Sequence, residues 1–179
     1  MTYLHIITGP MFAGKSTRLL NEISKLSVLK NIFIINSTLD DRYNNNSITT
    51  HSNYSCNANS LSSLNLDNKY LQNLKKKYDV IAIDEAQFFD DLYNFVKICL
   101  GIGFHIIVCG LNGNYKQEKF GQILDLIPLA NNIELLKGYC MICNDGTEGI
   151  FTKRILENNK DEVIIGNEDK YMCICRKHL

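Results

Sequence analysis

Residues 9–16 read Gly-Pro-Met-Phe-Ala-Gly-Lys-Ser, the pattern G-x-x-x-x-G-K-[ST]. Few short patterns constrain a fold as tightly, because this one has physical content only where a strand delivers the loop and a helix leaves it. Both neighbours are present. YLHIIT before Gly9 is a β-rich run, and from Lys15 onward Leu19, Ile23, Leu26 and Lys30 fall on one stripe at i, i+4, i+7 spacing. In this setting the glycines let successive backbone N–H groups face an anion at a helix N-terminus. Lys15 then reaches the outer phosphates of a nucleoside triphosphate and Ser16 holds Mg²⁺. A chance glycine turn does not come with a strand before it and a helix after it. The expected phosphate loop is Gly9, Pro10, Met11, Phe12, Ala13, Gly14, Lys15 and Ser16.

The rest of the chain continues the alternation. Ile32–Ile35 reads as a strand, Asp67–Lys77 as a short helix, Val80–Ile83 as a strand, Asp90 to about Leu100 as a helix and His105–Cys109 as a strand. Strands this continuously apolar are covered on both faces, so the fold class is α/β with a parallel sheet flanked by helices. Residues 40–63 are polar and Asn/Ser-rich, which reads as a long loop or an edge hairpin. After Pro128 the texture changes, and from Gly138 the chain is Cys-rich and loop-rich. A length of 179 residues suits one domain with a small appended module, placed at residues 1–137 and 138–179.

Two further motifs carry chemistry. Asp84 closes the run Val80–Ile83, where an acid in such proteins completes the Mg²⁺ shell. Glu85 follows at once and points elsewhere, so one carboxylate is available to the metal and the other to the reacting group. The second motif is Cys140-x-x-Cys143 followed, after 31 intervening residues, by Cys175-x-x-His178. Three thiolates and one imidazole make a closed tetrahedral Zn²⁺ site with no position left for water. Cys173-x-Cys175 offers a rival ligand; the two-residue spacing to His178 favours Cys175. Cys56, Cys99 and Cys109 read as core or loop residues.

Charge narrows the choice. Nineteen Lys and Arg are balanced by nineteen Asp and Glu. A neutral chain lacks the basic excess that phosphate-backbone binding requires, which argues against nucleic acid as a partner and against an adsorbed basic membrane helix. No apolar run approaches the roughly 20 residues of a membrane span. The opening MTYLHIITGP has no charged leader region, and seven cysteines without a leader suggest reduced thiols or metal ligands, so a cytoplasmic protein is expected. A guanine-nucleotide switch is excluded by the lack of Asn-Lys-x-Asp, and a zinc-ribbon nucleic-acid binder by the charge. A phosphoryl-transfer enzyme or ATPase of unstated acceptor remains.

The succession GPMFAGKST, DDRY, DEAQFF, LNGNYKQEKFG, PLA, CMIC, FTKR and IIGNEDKYMCICRKH resembles the thymidine kinases of bacteria, poxviruses and animal cytosol, in their order and over nearly the whole chain. The resemblance implies a RecA-like P-loop domain with a zinc-bearing lasso, usually a homotetramer. The implied reaction moves the γ-phosphate of ATP, with Mg²⁺, to the 5′-hydroxyl of deoxythymidine, with dTTP as feedback inhibitor. By the same resemblance Glu85 is the general base, and Asp84, Gln87, Asp40 and Arg42 join the loop around ATP and the metal. Met11, Phe88, Leu111, Tyr115, Phe120, Thr152 and Tyr171 line the nucleoside pocket. The main chain of Glu162, Val163, Ile164, Ile165 and Gly166 reads the base, and Cys140, Cys143, Cys175 and His178 hold zinc. Tyr115 stands where many members have Phe, and His178 where animal and poxvirus members have Cys.

Overall fold

The computed structural model describes residues 2–39, 47–49, 55–155 and 170–179. Its centre is a six-stranded, all-parallel sheet. The strands in chain order are β1 (Tyr3–Gly9), β2 (Ile32–Ser37), a hairpin of β3 (Ser47–Thr49) with β4 (Ser55–Asn57), β5 (Asn59–Leu61), β6 (Val80–Ile83), β7 (His105–Leu111) and β8 (Asn132–Leu135). Across the sheet the order is β5-β2-β6-β7-β1-β8. Helices α1 (Lys15–Leu26), α2 (Asn68–Lys75) and α3 (Leu92–Ile102) supply the crossovers.

The period-2 alternation of the strands sends neighbouring side chains to opposite faces, and both faces are roofed. Leu4, Ile6, Ile81, Ile83, Ile106 and Val108 pack with Phe89, Val96 and Phe104 in the core built around α2 and α3. Ile7, Val80, Ala82, Ile107 and Cys109 meet Leu19, Leu20 and Ile23 of α1. Parallel strands covered on both sides must be apolar throughout, which is why no alternation shows in Val80–Ile83 or His105–Cys109.

The register fixes the site. β7 lies between β1 and β6, pairing Gly9 with Leu111 on one side and Ile83 with Val108 on the other. The loop after β1 and the acid after β6 therefore open at the same end of the sheet, two strand spacings or about 10 Å apart. The C-terminal region is built of small ladders: β9 (Gly138–Tyr139) with β10 (Glu148–Gly149), and β11 (Phe151–Arg154) with β12 (Tyr171–Ile174).

Several elements differ from the sequence expectation. α1 stops at Leu26, so Lys30 lies beyond the helix; its N–H closes a turn on the Leu26 carbonyl, and Leu20 joins the buried face instead. The Ser27 hydroxyl bonds back to the Ser24 carbonyl, a local competitor to further helix. α2 begins at Asn68, with Asp67 outside it as the cap accepting from the Tyr70 amide at 2.7 Å. α3 starts at Leu92 rather than Asp90 and ends on Gly103, whose φ of 99° suits only glycine there. The polar stretch yields both a hairpin and a true edge strand, since β5 pairs parallel with β2. β8, also unforeseen, forms the opposite edge beside β1.

β8 is fastened to α1 by charge. Arg18 donates two bonds to the Glu134 carboxylate, at 2.8 and 2.7 Å, and a third to Glu22 at 2.7 Å. Buried His5 brings Nε2 within 2.9 Å of Glu134. Replacing Glu134 with Ala removes the two-pronged bond, worth about 1–2 kcal/mol, and is expected to lower Tm by about 2–8 °C in a thermal melt at physiological salt. An unchanged Tm would show that the clamp does not hold the edge strand.

Candidate active site and metal centre

The loop after β1 is shaped by left-handed backbone at Phe12 (φ 63°) and Gly14 (φ 74°). Gly14 is the residue before α1, where nothing lies within 4 Å of a built Cβ, so glycine is required there by backbone conformation and not by space. Gly9 is required by space as well: a Cβ would come within 2.4 Å of the Leu136 carbonyl oxygen. The amide of Met11 donates to the Thr152 hydroxyl at 3.0 Å, which ties the loop to β11. Lys15 follows Gly14 at the start of α1, and its ammonium donates to the Pro10 carbonyl at 2.7 Å, across the mouth of the loop.

Asp84 sits one residue past β6 and is buried. Its amide donates to the Ile35 carbonyl, and its carboxyl accepts from the Glu85 amide at 3.0 Å. The Ser16 hydroxyl and the Cys109 thiol lie near the same carboxyl and favour its ionised form. Burial, and then the charge of Glu85, push its pKa up to about 6 against these groups. Ser16 and Asp84, one from each side of β7, thus converge as an oxygen pair suited to a hard divalent cation. Cys109 reads as an ordinary core residue in the sequence and is one; its thiol also reaches the acid, and nothing in an apolar strand pattern signals that.

Glu85 turns away from Asp84 through a left-handed backbone (φ 50°, ψ 37°) that non-glycine residues rarely adopt. Its carboxylate accepts from the Gln87 side-chain amide at 2.5 Å. Gln87 is buried, and its oxygen accepts in turn from the Leu111 amide at 3.0 Å. Two carboxylates adjacent in sequence therefore have different partners, one toward the cation pair and one toward the end of β7.

Besides Met11, the expected pocket residues that the structure describes fall into three groups. Phe88 and Phe120 meet edge to face with ring centroids 5.7 Å apart. Tyr115 lies under the Arg154 guanidinium, 4.7 Å from the ring centroid, a partner the sequence reading did not single out although FTKR contains it. Thr152 and Tyr171 are buried on the paired strands β11 and β12, and Leu111 ends β7. Asp40, Arg42, Glu162, Val163, Ile164, Ile165 and Gly166 lie outside the described residues.

The second cluster is formed by Cys140, Cys143, Cys175 and His178, whose donor atoms all lie within 4.8 Å of one another. Cys140, Cys143 and Cys175 sulfurs stand 3.5, 3.4 and 3.4 Å from His178 Nδ1, and Cys143 stands 3.8 Å from Cys175. Zinc bond lengths of about 2.3 Å to sulfur and 2.0–2.1 Å to nitrogen imply tetrahedron edges of about 3.8 and 3.6 Å. The four distances just given match those edges within a few tenths of an ångström. Burial opposes ionisation of Cys140, but the amides of Cys143, Cys175 and Ile142 and the His178 ring bring its pKa well below the usual thiol range. Cys173 is outside the group. It faces Gly138 and Gly149, where a built Cβ would come within 2.8 and 2.5 Å of its sulfur, so it fills a gap between β9 and β10. The rival ligand of the sequence reading is thereby set aside.

The profile of the thymidine kinase family matches residues 2–179 of this chain. A thymidine kinase of Oryza sativa subsp. japonica is 41% identical over 98% of this chain, which spans 65% of the rice protein. Thymidine kinase a of Arabidopsis thaliana is 40% identical, again over 98% of this chain and over 74% of its own length. The thymidine kinase of fowlpox virus (strain NVSL) is 39% identical over 97% of this chain and 94% of its own.

The donor set is expected to carry one zinc per chain, measured by elemental analysis of purified protein. Cys175→Ala should abolish it and Cys173→Ser should retain it; the reverse pattern would exchange their roles. The Asp84 carboxyl gives a second expectation. Its pKa rises from 3.8 to about 6 on folding, so between those values the folded protein holds a proton that the unfolded chain has lost. Metal-free stability therefore falls as pH rises through that window and stays lower above it. Asp84→Asn should melt several degrees higher than wild type at pH 7.5 in chelator, with the difference gone below pH 4, and should lose phosphoryl transfer. A less stable Asp84→Asn at pH 7.5 would contradict this.

Proposed function

Because the chain belongs to the thymidine kinase family, we propose that it transfers the γ-phosphate of ATP to the 5′-hydroxyl of deoxythymidine, giving dTMP and ADP. The observation that carries this reading is the convergence of Ser16, Asp84 and Glu85 at one end of the sheet, beside a loop built to hold phosphates.

The phosphate chain lies along the amides of residues 9–16, with Lys15 on the outer phosphates. Mg²⁺, when bound, neutralises charge on those phosphates; Ser16 and Asp84 are the residues that would hold it. In this reading Asp40 and Arg42 act on the phosphates and the metal, the role that the resemblance implies. Glu85 accepts the proton of the 5′-hydroxyl as the oxygen attacks phosphorus. Phosphoryl transfer through a loose transition state asks little of the protein beyond position and charge, so the base acts mainly by orienting the hydroxyl and taking its proton late. Phe88, Leu111, Tyr115, Phe120 and Met11 enclose the nucleoside, with Thr152 and Tyr171 beside it. The main chain of residues 162–166 reads the pyrimidine edge. Zinc at Cys140, Cys143, Cys175 and His178 is structural, since the four donors close its coordination.

Residues 1–137 are the P-loop ATP-binding domain and 138–179 the zinc-binding lasso domain that contacts the nucleoside. The enzyme is a cytoplasmic homotetramer inhibited by dTTP. Support for the compartment is that all seven cysteines are free.

The reading is tested by a coupled assay of Glu85→Gln with ATP and a panel of deoxynucleosides. Removal of a positioned base is expected to lower kcat by about 10²–10⁴-fold with ATP binding retained. Retention of more than half of wild-type kcat would remove Glu85 from that role. In the same panel, main-chain groups cannot reverse their polarity to suit cytosine. Two mismatched bonds at about 1–3 kcal/mol each should make deoxycytidine about 10²–10⁴-fold poorer in kcat/KM. Deoxyuridine lacks only a methyl, worth about 0.8 kcal/mol, and should stay within an order of magnitude of deoxythymidine.

A further inference from the structure

Glu85 has three side-chain torsions and a strained backbone, and a carboxylate on such a stem does not hold one direction unaided. One residue that restrains it is two positions on, in the short 3₁₀ turn Ala86–Phe88. Gln87 is 2% exposed, and both ends of its amide are engaged by protein. Nε2 donates to Glu85 Oε2 at 2.5 Å, and Oε1 accepts from the Leu111 amide at 3.0 Å. The second bond settles the first. A backbone N–H can only donate, so the oxygen of the Gln87 amide must face Leu111 and the NH₂ must face Glu85.

The surroundings are cut to this arrangement. A Cβ on Gly110 would lie 2.3 Å from Gln87 Oε1 and 3.1 Å from the Ala86 amide nitrogen. A Cβ on Gly121, at φ +61°, would lie 2.3 Å from the Gln87 carbonyl oxygen. Two glycines from separate segments thus leave room for one glutamine. Leu111 pairs with Gly9, the first residue of the phosphate loop, so Gln87 ties Glu85 to the strand alongside that loop.

We infer that Gln87 is a positioning residue: it acts through Glu85, aiming the carboxylate of the base, and does not itself hold ATP or the metal. This rests on the proposed role of Glu85 as base. A second residue that fixes a reacting group typically matters 10- to 100-fold in activity, because a sub-ångström displacement is enough to spoil proton acceptance.

The test is a double-mutant cycle in steady-state kinetics. Gln87→Met keeps length and removes the donor. It is expected to lower kcat about 10- to 100-fold while KM for ATP and for deoxythymidine stays within about threefold. In a Glu85→Gln background the same substitution should cost less than about threefold more, since there is no longer a carboxylate to aim. Gln87→Glu keeps the volume and an acceptor for Leu111 and replaces the donor. It serves as the second variant if Gln87→Met fails to fold, and the same loss and the same non-additivity are expected. A raised KM for ATP with unchanged kcat, or losses that multiply in the double variant, would overturn the inference. The failures are separable. If Glu85→Gln alone leaves kcat intact, the base assignment falls and the inference with it. If Glu85→Gln is slow and both Gln87 variants are fast, only the inference falls.

Discussion

The carboxyl of Asp84 is held almost wholly out of water at the C-terminal end of a parallel sheet, and the site is arranged around the cost of keeping it there. Ionising a buried acid is unfavourable, more so with Glu85 beside it. The hydrogen bond from the Glu85 amide, with the Ser16 hydroxyl and the Cys109 thiol nearby, offsets part of that cost, and a divalent cation held by Ser16 and Asp84 would offset more of it. None of these partners is near Asp84 in sequence except Glu85. They are brought together because β7 separates β1 from β6, so the loop of one and the acid of the other flank the same strand end. The same kink that gives Asp84 the Glu85 amide turns the Glu85 side chain toward Gln87. The two adjacent carboxylates are thus divided by one left-handed residue.

The C-terminal ladders belong to this arrangement mechanically as well as by position. Thr152 on β11 accepts from the Met11 amide within the phosphate loop. Gly138 on β9 passes so close beneath the loop that a Cβ would lie 3.1 Å from the Phe12 carbonyl. Cys173 fills the space beside that glycine, and Cys175, two residues on, belongs to the metal cluster. A metal bound there would fasten a segment with little apolar core of its own, since the buried cluster holding it comprises Cys140, Ile174 and Cys175. Ladder geometry would then pass from the metal through β12 and β11 to the back of the ATP loop and to Arg154 over Tyr115.

What the sequence makes legible is local or periodic. The phosphate loop shows because its residues are contiguous and its neighbours announce a strand and a helix. Val80–Ile83 shows because a strand roofed on both faces is apolar throughout. Cys140, Cys143, Cys175 and His178 show because ligand spacing is a short-range property. The edges of the sheet do not show. Asn59-Ser60-Leu61 and Asn132–Leu135 are short and partly polar, and only pairing with β2 and β1 makes them strands. The end of α1 does not show either, because a stripe at i, i+4, i+7 continues through Lys30 while Ser27 and its turn stop the helix. Gln87 is the clearest case. Its part depends on Leu111, Gly110 and Gly121, which lie more than twenty residues away and carry no pattern that refers to it. Cys173 likewise looks like a ligand until the two glycines it fills against are known.

The proposed reaction is one group transfer, of the γ-phosphoryl of ATP to a nucleoside oxygen with ADP leaving. ATP labelled in its γ-phosphate, incubated with Mg²⁺ and deoxythymidine and resolved by chromatography, reads it directly. The expected result is label in dTMP, matched one for one by ADP, with label in inorganic phosphate no higher than in an enzyme-free control. Label released as inorganic phosphate at the same rate with and without deoxythymidine would contradict it, and would make the chain an ATPase.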